Sequence, residues 1–176
     1  SVIMNKKEKI ILSALHLFAK NGFAETSINS IAQNAGVSKG LTYNHFKDKD
    51  DLLRVVIETT VTQMTEKMME IKNESISSLL QNLKQGLIEN KDIIRLTVLL
   101  LIHPQTPTSV TKMLEKQKIE LIELLSSLLE KKYKDNAKIE AELLLATIDG
   151  ITMDFVLNPD IENLEYKINY TTNKYI

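Results

Sequence analysis

The segment from Ser27 to Phe46, SINSIAQNAGVSKGLTYNHF, constrains the fold of this chain more than any other stretch. A hydroxyl at Ser27 or Thr26 precedes a run with apolar residues at helical spacing, and such a residue caps a helix by accepting a backbone N–H. Gly36 ends the run, and glycine readily adopts the left-handed conformation of a sharp turn. Ser38 can then cap a second helix up to about Phe46. The segment therefore predicts two short helices joined by a tight turn.

The exposed face of the second helix is unusual for a helix of a protein core. It carries donors and an aromatic ring, with no acid among them: Lys39, Tyr43, Asn44 and His45. Two more lysines, Lys47 and Lys49, follow within one turn. Such a helix suits the major groove of DNA, where base edges and phosphates offer acceptors. The alternative is a solvated helical hairpin of an all-α protein.

Residues Lys6 to about Lys67 resemble the DNA-binding domain of the TetR family of bacterial transcriptional repressors. The resemblance is carried by four segments in the family's order and spacing: LHLFAKNGF, SINSIAQNAGVS, GLTYNHF and KDKDDLL. It implies an all-α fold, with an N-terminal three-helix helix-turn-helix DNA-binding domain and a C-terminal helical bundle for ligand binding and dimerisation. We expect residues 1–50 to form the first domain, with the start of a connecting helix to about residue 67, and residues 51–176 to form the second.

The resemblance also implies DNA-binding roles for nine residues: Ser27, Asn29, Lys39, Gly40, Leu41, Tyr43, Asn44, His45 and Lys49. In these roles Ser27 and Lys49 contact phosphate, and the glycine lets the helix start approach the DNA backbone. Asn44 and Leu41 face bases, since an amide pairs with adenine and an aliphatic group meets the thymine methyl. Asn29, in the first helix of the turn pair, also contacts a base. Lys39, Tyr43 and His45 contact phosphate or base edges.

Two positions of the second helix, Tyr43 and Thr42, allow other interpretations or depart from the family's pattern. For Tyr43, the alternative to DNA contact is packing on the first helix of the domain. Thr42 departs from the family's pattern, which has a larger aliphatic residue buried one turn before Phe46. We expect its hydroxyl to bond the carbonyl four residues earlier, as serine and threonine do within helices.

Composition agrees with a helical protein. The 176 residues are 43% hydrophobic and include only five glycines and three prolines, which favours long helices. No cysteine is present, so disulfides and thiolate chemistry are excluded, as fits a reducing cytoplasm. The net charge of −1 divides into +3 over residues 1–50 and −4 over residues 51–176. A mildly basic N-terminal part on an acidic remainder fits a DNA-contacting head.

The remainder of the chain predicts a series of long helices. Their expected ranges are Lys6–Asn21, Asp48 to about Lys72, Ser75–Asn90, Lys91–Ile102, Thr108 or Ser109 to about Tyr133, Ile139–Leu157, and a helix from Asp160 that becomes polar. The run IIRLTVLLLI is apolar nearly all round, which predicts a buried centre of the body. Asn73–Ser75, His103–Ser109 and Lys134–Lys138 are expected as breaks or turns.

The predicted function is that of a homodimeric repressor that binds a near-palindromic operator in double-stranded DNA. Ile139–Leu157 is apolar on more than one face, which makes it the first candidate for the dimer interface. The resemblance implies a small-molecule effector, bound between the connecting helix and the helices from Ser75 to Tyr133, that releases the DNA. We assign no ligand-binding residue. The alternative is a helical interaction or ligand-binding module without specific DNA binding.

Other chemistry is not indicated by the sequence. The three histidines, His16, His45 and His103, are far apart and lack partners at metal-ligand spacing, so we expect no metal site and no cofactor. Asp149 and Asp154 lie in an apolar helix, where they are expected to be hydrogen-bonded, to lie at an interface or to contact an effector. No catalytic grouping is found, so we expect no enzyme. The apolar runs are too short for a membrane span or a secretory leader, which favours the cytoplasm.

Overall fold

The computed structural model describes residues 4–69 and 75–176, with side chains for 4–60 and 75–176. Nine α-helices occupy the described residues: α1 (Lys6–Asn21), α2 (Ile28–Ala35), α3 (Lys39–His45), α4 (Lys49–Met69), α5 (Ile76–Glu89), α6 (Lys91–Ile102), α7 (Thr108–Tyr133), α8 (Ala137–Leu157) and α9 (Ile161–Tyr175). The all-α prediction is confirmed. The predicted end of the fourth helix near residue 72 and the start of the break at residue 73 lie outside the described residues. No helix in the described part of the chain is long and apolar enough to cross a membrane.

Helix ends follow the sequence closely because the capping residues are local. The hydroxyl of Ser75 accepts the N–H of Ser78 at the start of α5, and the Asp48 carboxylate accepts the N–H of Asp51 at 2.8 Å. Asp160 caps α9 in the same manner, through the N–H of Asn163. Each of these side chains satisfies a backbone donor that has no partner within its own helix.

The described residues cluster into two compact units. One comprises residues 4–64 with Asp92–Met113, and the other comprises residues 65–69 and 75–91 with Leu114–Ile176. In the first unit α1 packs mainly on α2, and the side chains of Leu52, Leu53, Val56 and Ile57 on α4 are fully buried, as their spacing predicts. In the second unit α9 packs on α5 and on α8. The functional division at residue 50 stays a prediction.

The prediction that α6 is buried on all sides is wrong. One face of the helix is buried, with Ile93, Ile94, Leu96 and Leu100 at most 9% exposed. Leu101 and Ile102, however, are 64% and 69% exposed, and Leu99 is also exposed. An apolar run shows that a helix could be buried all round, but burial requires neighbours on every side. Within the described residues, the last turn of α6 has neighbours on one side only.

Two boundaries near the C-terminus also differ from the sequence prediction. The expected turn at Lys134–Lys138 is shorter, because a 3-10 turn at Lys134–Asn136 runs directly into α8. The last segment does not lose its helical form where it becomes polar, and α9 continues to Tyr175. Its polar residues still bury one face, since Thr171, Thr172 and Tyr175 follow Leu164 and Ile168 on the side that packs on the bundle.

Candidate nucleic-acid interface

The first helix of the turn pair, α2, is closed at both ends by the residues that the sequence indicated. The Ser27 hydroxyl accepts the N–H of Ser30 at 3.0 Å, and the Ser30 side chain returns to the Ser27 backbone. Gly36 has φ +66° in the left-handed region, and its N–H bonds back to the last turn. No other residue type adopts this conformation as easily, so the turn between α2 and α3 depends on this glycine.

The second helix, α3, is held by a cap at its start and by burial of one face. The Ser38 hydroxyl accepts the N–H of Leu41 at 3.1 Å. Thr42 is fully buried and Phe46 is 1% exposed, so both side chains lie in the core of the head. The Thr42 hydroxyl donates to the Ser38 carbonyl at 3.4 Å, as expected for a threonine in this slot.

The opposite face of α3 is open to solvent. Lys39, Tyr43, Asn44 and His45 are all exposed, together with Gly40, whereas Leu41 is half-buried. Tyr43 is 48% exposed, and its ring centroid lies 5.9 Å from the Lys39 ammonium group. Of the two α2 positions implied in DNA contact, Ser27 and Asn29 are also exposed. Eight of the nine predicted positions therefore have exposed or half-exposed groups on α2 and α3, and their individual roles stay predictions.

Packing against α1 holds the turn pair in place. The buried Ser13 hydroxyl on α1 donates to the Ile31 carbonyl at 3.0 Å and lies 2.8 Å from the Asn34 amide oxygen. Thr26, just before α2, is also buried, and its hydroxyl donates to the Gly22 carbonyl at 2.7 Å. These contacts join the helix pair to the middle and to the end of α1, which fixes the position of α3.

The ninth predicted residue, Lys49, has a position that sequence reasoning missed. Its ammonium group donates to the carbonyls of Phe23 and Ala24, at 2.9 and 3.1 Å, and lies 4.5 Å from the Phe23 ring centroid. Two of its three N–H donors thus join the start of α4 to the loop between α1 and α2. The third donor stays available for phosphate. No local signal predicts these bonds, because Lys49 and Phe23 are 26 residues apart.

The start of α4 carries a balanced set of charges beside this lysine. Arg54 donates to Asp51 at 2.9 Å and to Glu58 at 2.7 Å. The hydrogen bond from Arg54, together with the backbone N–H of Lys47, lowers the pKa of the Asp51 carboxyl. Asp51 is thus held ionised and paired, and its charge is largely neutralised on the side of α4 nearest the turn pair.

One further lysine reaches the recognition helix from α1. The ammonium group of Lys7 lies 6.0 Å from the centroid of Phe46, the residue that ends α3. The basic start of α1 is therefore a neighbour of the end of α3, although the sequence alone favours solvation for lysines at a chain end. Together with Lys39 and Lys49, it gives the exposed side of the head a positive character.

A three-helix head with a glycine turn, capped helices and an exposed second helix of donors defines a helix-turn-helix protein. Residues 10–56 match the family model of the bacterial regulatory proteins of the tetR family. The uncharacterized HTH-type transcriptional regulator YerO of Bacillus subtilis is 45% identical over 69 residues, which cover 39% of this chain and 24% of that protein. The chain thus spans about a quarter of the length of this relative. YerO is described as a transcriptional regulator.

Solved structures match the whole fold. The transcriptional regulator of the TerR/AcrR family from Aquifex aeolicus has a TM-score of 0.84 at 24% identity, covering 98% of this chain and 100% of that one. The regulator FadR from Bacillus subtilis, solved in complex with stearoyl-CoA, has a TM-score of 0.73 at 19% identity, with 93% and 96% covered. These likenesses show the fold. The match to the tetR family model covers the head of the chain, residues 10–56.

Proposed function

We propose that the protein is a homodimeric, sequence-specific DNA-binding regulator that represses its target genes and leaves the operator when a small molecule binds. The observation that carries this proposal is the two-sided character of α3. One side, with Thr42 and Phe46, is buried in the head, and the other presents Lys39, Asn44 and His45 to solvent. A short helix with one buried face, and with hydrogen-bond donors and no acidic group on its exposed face, suits an acceptor-rich surface such as the major groove.

The N-terminus of α2 supports contact of the head with the phosphate backbone of DNA. A helix N-terminus has unpaired N–H groups and a partial positive charge, which favour phosphate. The exposed Ser27 lies there, and Lys49 is anchored next to the loop that precedes it. Phosphate contacts at this end would orient the head, while α3 contacts base edges, which is the usual division between positioning and specificity.

The exposed apolar side chains on the outer face of α8 and α9 support the proposal of a homodimer. Ile139, Leu143 and Leu157 on α8 are between 51% and 68% exposed, and Tyr166 and Tyr170 on α9 are each 68% exposed. The two tyrosine rings stack, with centroids 6.4 Å apart. Exposed apolar side chains in such number on two neighbouring helices mark a protein–protein contact. Two heads would then bind half-sites about one helical turn apart.

The resemblance to the TetR family supports a small-molecule effector and a regulatory role. FadR of Bacillus subtilis, which shares the fold of this chain, was solved in complex with stearoyl-CoA. We propose that residues 51–176 bind an effector of this protein, and that the ligand favours a conformation whose head spacing no longer fits DNA. The protein would act in the cytoplasm, where the chromosome lies, as a regulator and not as an enzyme.

Selection of binding sites from a random DNA library by the purified protein, at two salt concentrations, tests the proposal. We expect an enriched near-palindrome, with affinity that falls steeply as salt rises because phosphate contacts release counterions. Asn44→Ala should relax the selected sequence at one base pair in each half-site, whereas Asn82→Ala, a change at an exposed asparagine of α5, should leave the selected sequence unchanged. A wild-type protein that enriches no sequence would instead favour a helical interaction or ligand-binding module.

A further inference from the structure

A groove lies beside the second half of α7, where this helix turns into α8. Its volume is about 460 Å³, a size that suits a small molecule. One wall is formed by α7, from Ile122 to Glu130, and the other by the turn and the start of α8, from Lys134 to Lys138. Both walls belong to the same compact unit. Among the described residues, none of α4, α5 or α6 lines the groove, so it is separate from an effector site between α4 and those helices.

The two walls of the groove differ in charge. The α7 wall carries the carboxylates of Glu123 and Glu130, whereas the other wall carries the ammonium groups of Lys134 and Lys138. Asp135 adds an acid to the second wall. None of these five side chains belongs to an ion pair within the described residues. The positive and negative groups therefore stand too far apart to neutralise each other directly.

Lys134 has a backbone conformation that does not suit a lysine. It directly follows α7, and its φ of +49° lies in the left-handed region. Glycine or asparagine is usual at this point after a helix, because a Cβ atom is unfavourable in that conformation. The end of α7 also separates Lys134 from Glu130, whose spacing of four residues allows an ion pair within one helix. Since no ion pair explains a lysine here, a positive charge needed at the groove is the reason that we infer.

Apolar side chains lie between the charged groups of the groove. Ile122 on α7 is half-buried and Ala137 at the start of α8 is 5% exposed. Ser126, one turn after Ile122, adds a half-buried hydroxyl. An apolar base with a few polar groups at fixed positions is the usual composition of a small-molecule site.

The charge pattern of the groove indicates the class of ligand that fits it. A cation would be repelled by the lysines and an anion by the glutamates, so a ligand with a single charge gains on one wall and loses on the other. A neutral ligand would displace water from charged groups without replacing it. A zwitterion avoids both costs. Glu123 and Glu130 lie about 10 Å apart along α7, so a dipeptide, about 7 Å long, matches the groove better than a single amino acid.

We propose that the groove binds a short zwitterionic peptide, with its ammonium group at the carboxylates of the α7 wall and its carboxylate at the ammonium groups of Lys134 and Lys138. The apolar part of the peptide then lies on Ile122 and Ala137. The site requires neither DNA nor the proposed effector. It can therefore be tested separately from the function proposed above.

An NMR titration of the isotope-labelled full chain with glycyl-leucine tests the proposal. We expect saturable shifts of the backbone amide signals of groove residues such as Ser126 and Lys138. N-acetyl-glycyl-leucine lacks the ammonium group and glycyl-leucinamide lacks the carboxylate, so each should bind roughly threefold more weakly. Equal affinity for the three peptides, saturable shifts only outside the groove, or no saturable shift would each overturn the proposal.

Two substitutions remove one charge from each wall. Glu123→Gln and Lys138→Met should each weaken the binding of glycyl-leucine roughly threefold, and the double variant should weaken it roughly tenfold. Glu115→Gln and Lys131→Met are matched controls, because both side chains are exposed on α7 and lie outside the groove. An equal loss of affinity in the control variants would indicate general electrostatic attraction and overturn the site.

Lys134→Gly separates binding from folding. Glycine adopts the left-handed conformation without strain, so the variant should have a melting temperature no lower than that of the wild-type protein. It should nevertheless bind glycyl-leucine roughly threefold more weakly, because one ammonium group is removed. Unchanged affinity would overturn the role of Lys134 in binding. A lower melting temperature would show that the fold, and not a ligand, requires this lysine.

Discussion

Replacing Lys49 by methionine separates two roles that this one side chain combines. Methionine keeps an unbranched apolar stem of similar length but has no donor. The substitution removes the bonds from the ammonium group to the Phe23 and Ala24 carbonyls and the contact with the Phe23 ring. It also removes the phosphate contact implied by the resemblance. We therefore expect the variant to lose both stability and part of its electrostatic attraction to DNA.

The size of the stability loss follows from the exposure of the bonds. A hydrogen bond from a charged donor contributes about 1.5–3 kcal/mol when it is well shielded. The Phe23 carbonyl is partly buried, but the bond to Ala24 is exposed, so water can replace the lysine there. We expect Lys49→Met to lower the free energy of unfolding by about 2 kcal/mol in total. For a chain of this size, that corresponds to a fall in melting temperature of roughly 4–8 °C.

Two assays separate the roles. Thermal unfolding without DNA measures only the link between α4 and the loop before α2. The dependence of operator affinity on salt measures the phosphate contact. Because each of the two heads of the dimer loses one contact, the slope of log K against log salt should become shallower by about 1.8. Lys47→Met is the control, because the Lys47 ammonium group makes no hydrogen bond within the described residues. An unchanged melting temperature for Lys49→Met would refute the structural role, and an unchanged slope would refute the phosphate contact.

Three further experiments test other parts of the structure. Burial raises the pKa of the Asp149 carboxyl, opposed by Lys118, so the folded protein holds this proton to a higher pH than the unfolded chain. Stability should fall as pH rises through that interval, and Asp149→Asn should remove this fall in urea titrations between pH 3 and pH 7; the effect should be small because the side chain is exposed. Thr42→Val should change the free energy of unfolding by less than about 1 kcal/mol, since the lost hydroxyl bond is long. A double-mutant cycle of His16→Ala and Asp92→Ala should give a coupling of about 0.5 kcal/mol in chemical unfolding, because both partners of the 2.9 Å contact are half exposed.

The ends of the head's helices could be predicted from sequence because short-range bonds determine them. Ser27, Gly36 and Ser38 each act within four residues of their own position, and all three have the predicted role. The same holds for the hydroxyl of Thr42, which bonds one turn back along its own helix. Hydrogen bonds between residues within four positions of one another can therefore be predicted from the sequence alone.

Contacts between distant segments could not be predicted in the same way. Lys49 is bonded to a loop 26 residues earlier, and His16 contacts Asp92 across 76 residues. The exposure of Ile102 was missed for a related reason, since the apolar character of a segment does not reveal how many neighbours surround it.

The most direct measurement of the central claim is the affinity of Asn44→Ala for the selected operator and for single-base-pair variants of it. If α3 contacts bases in both half-sites, the variant should lose discrimination at one base pair in each half, symmetrically placed, by about 1–3 kcal/mol. Affinity for unrelated DNA and its salt dependence should stay unchanged, as should every property of Asn82→Ala. Equal discrimination by Asn44→Ala and the wild-type protein at all positions would contradict the assignment of α3 as the recognition helix.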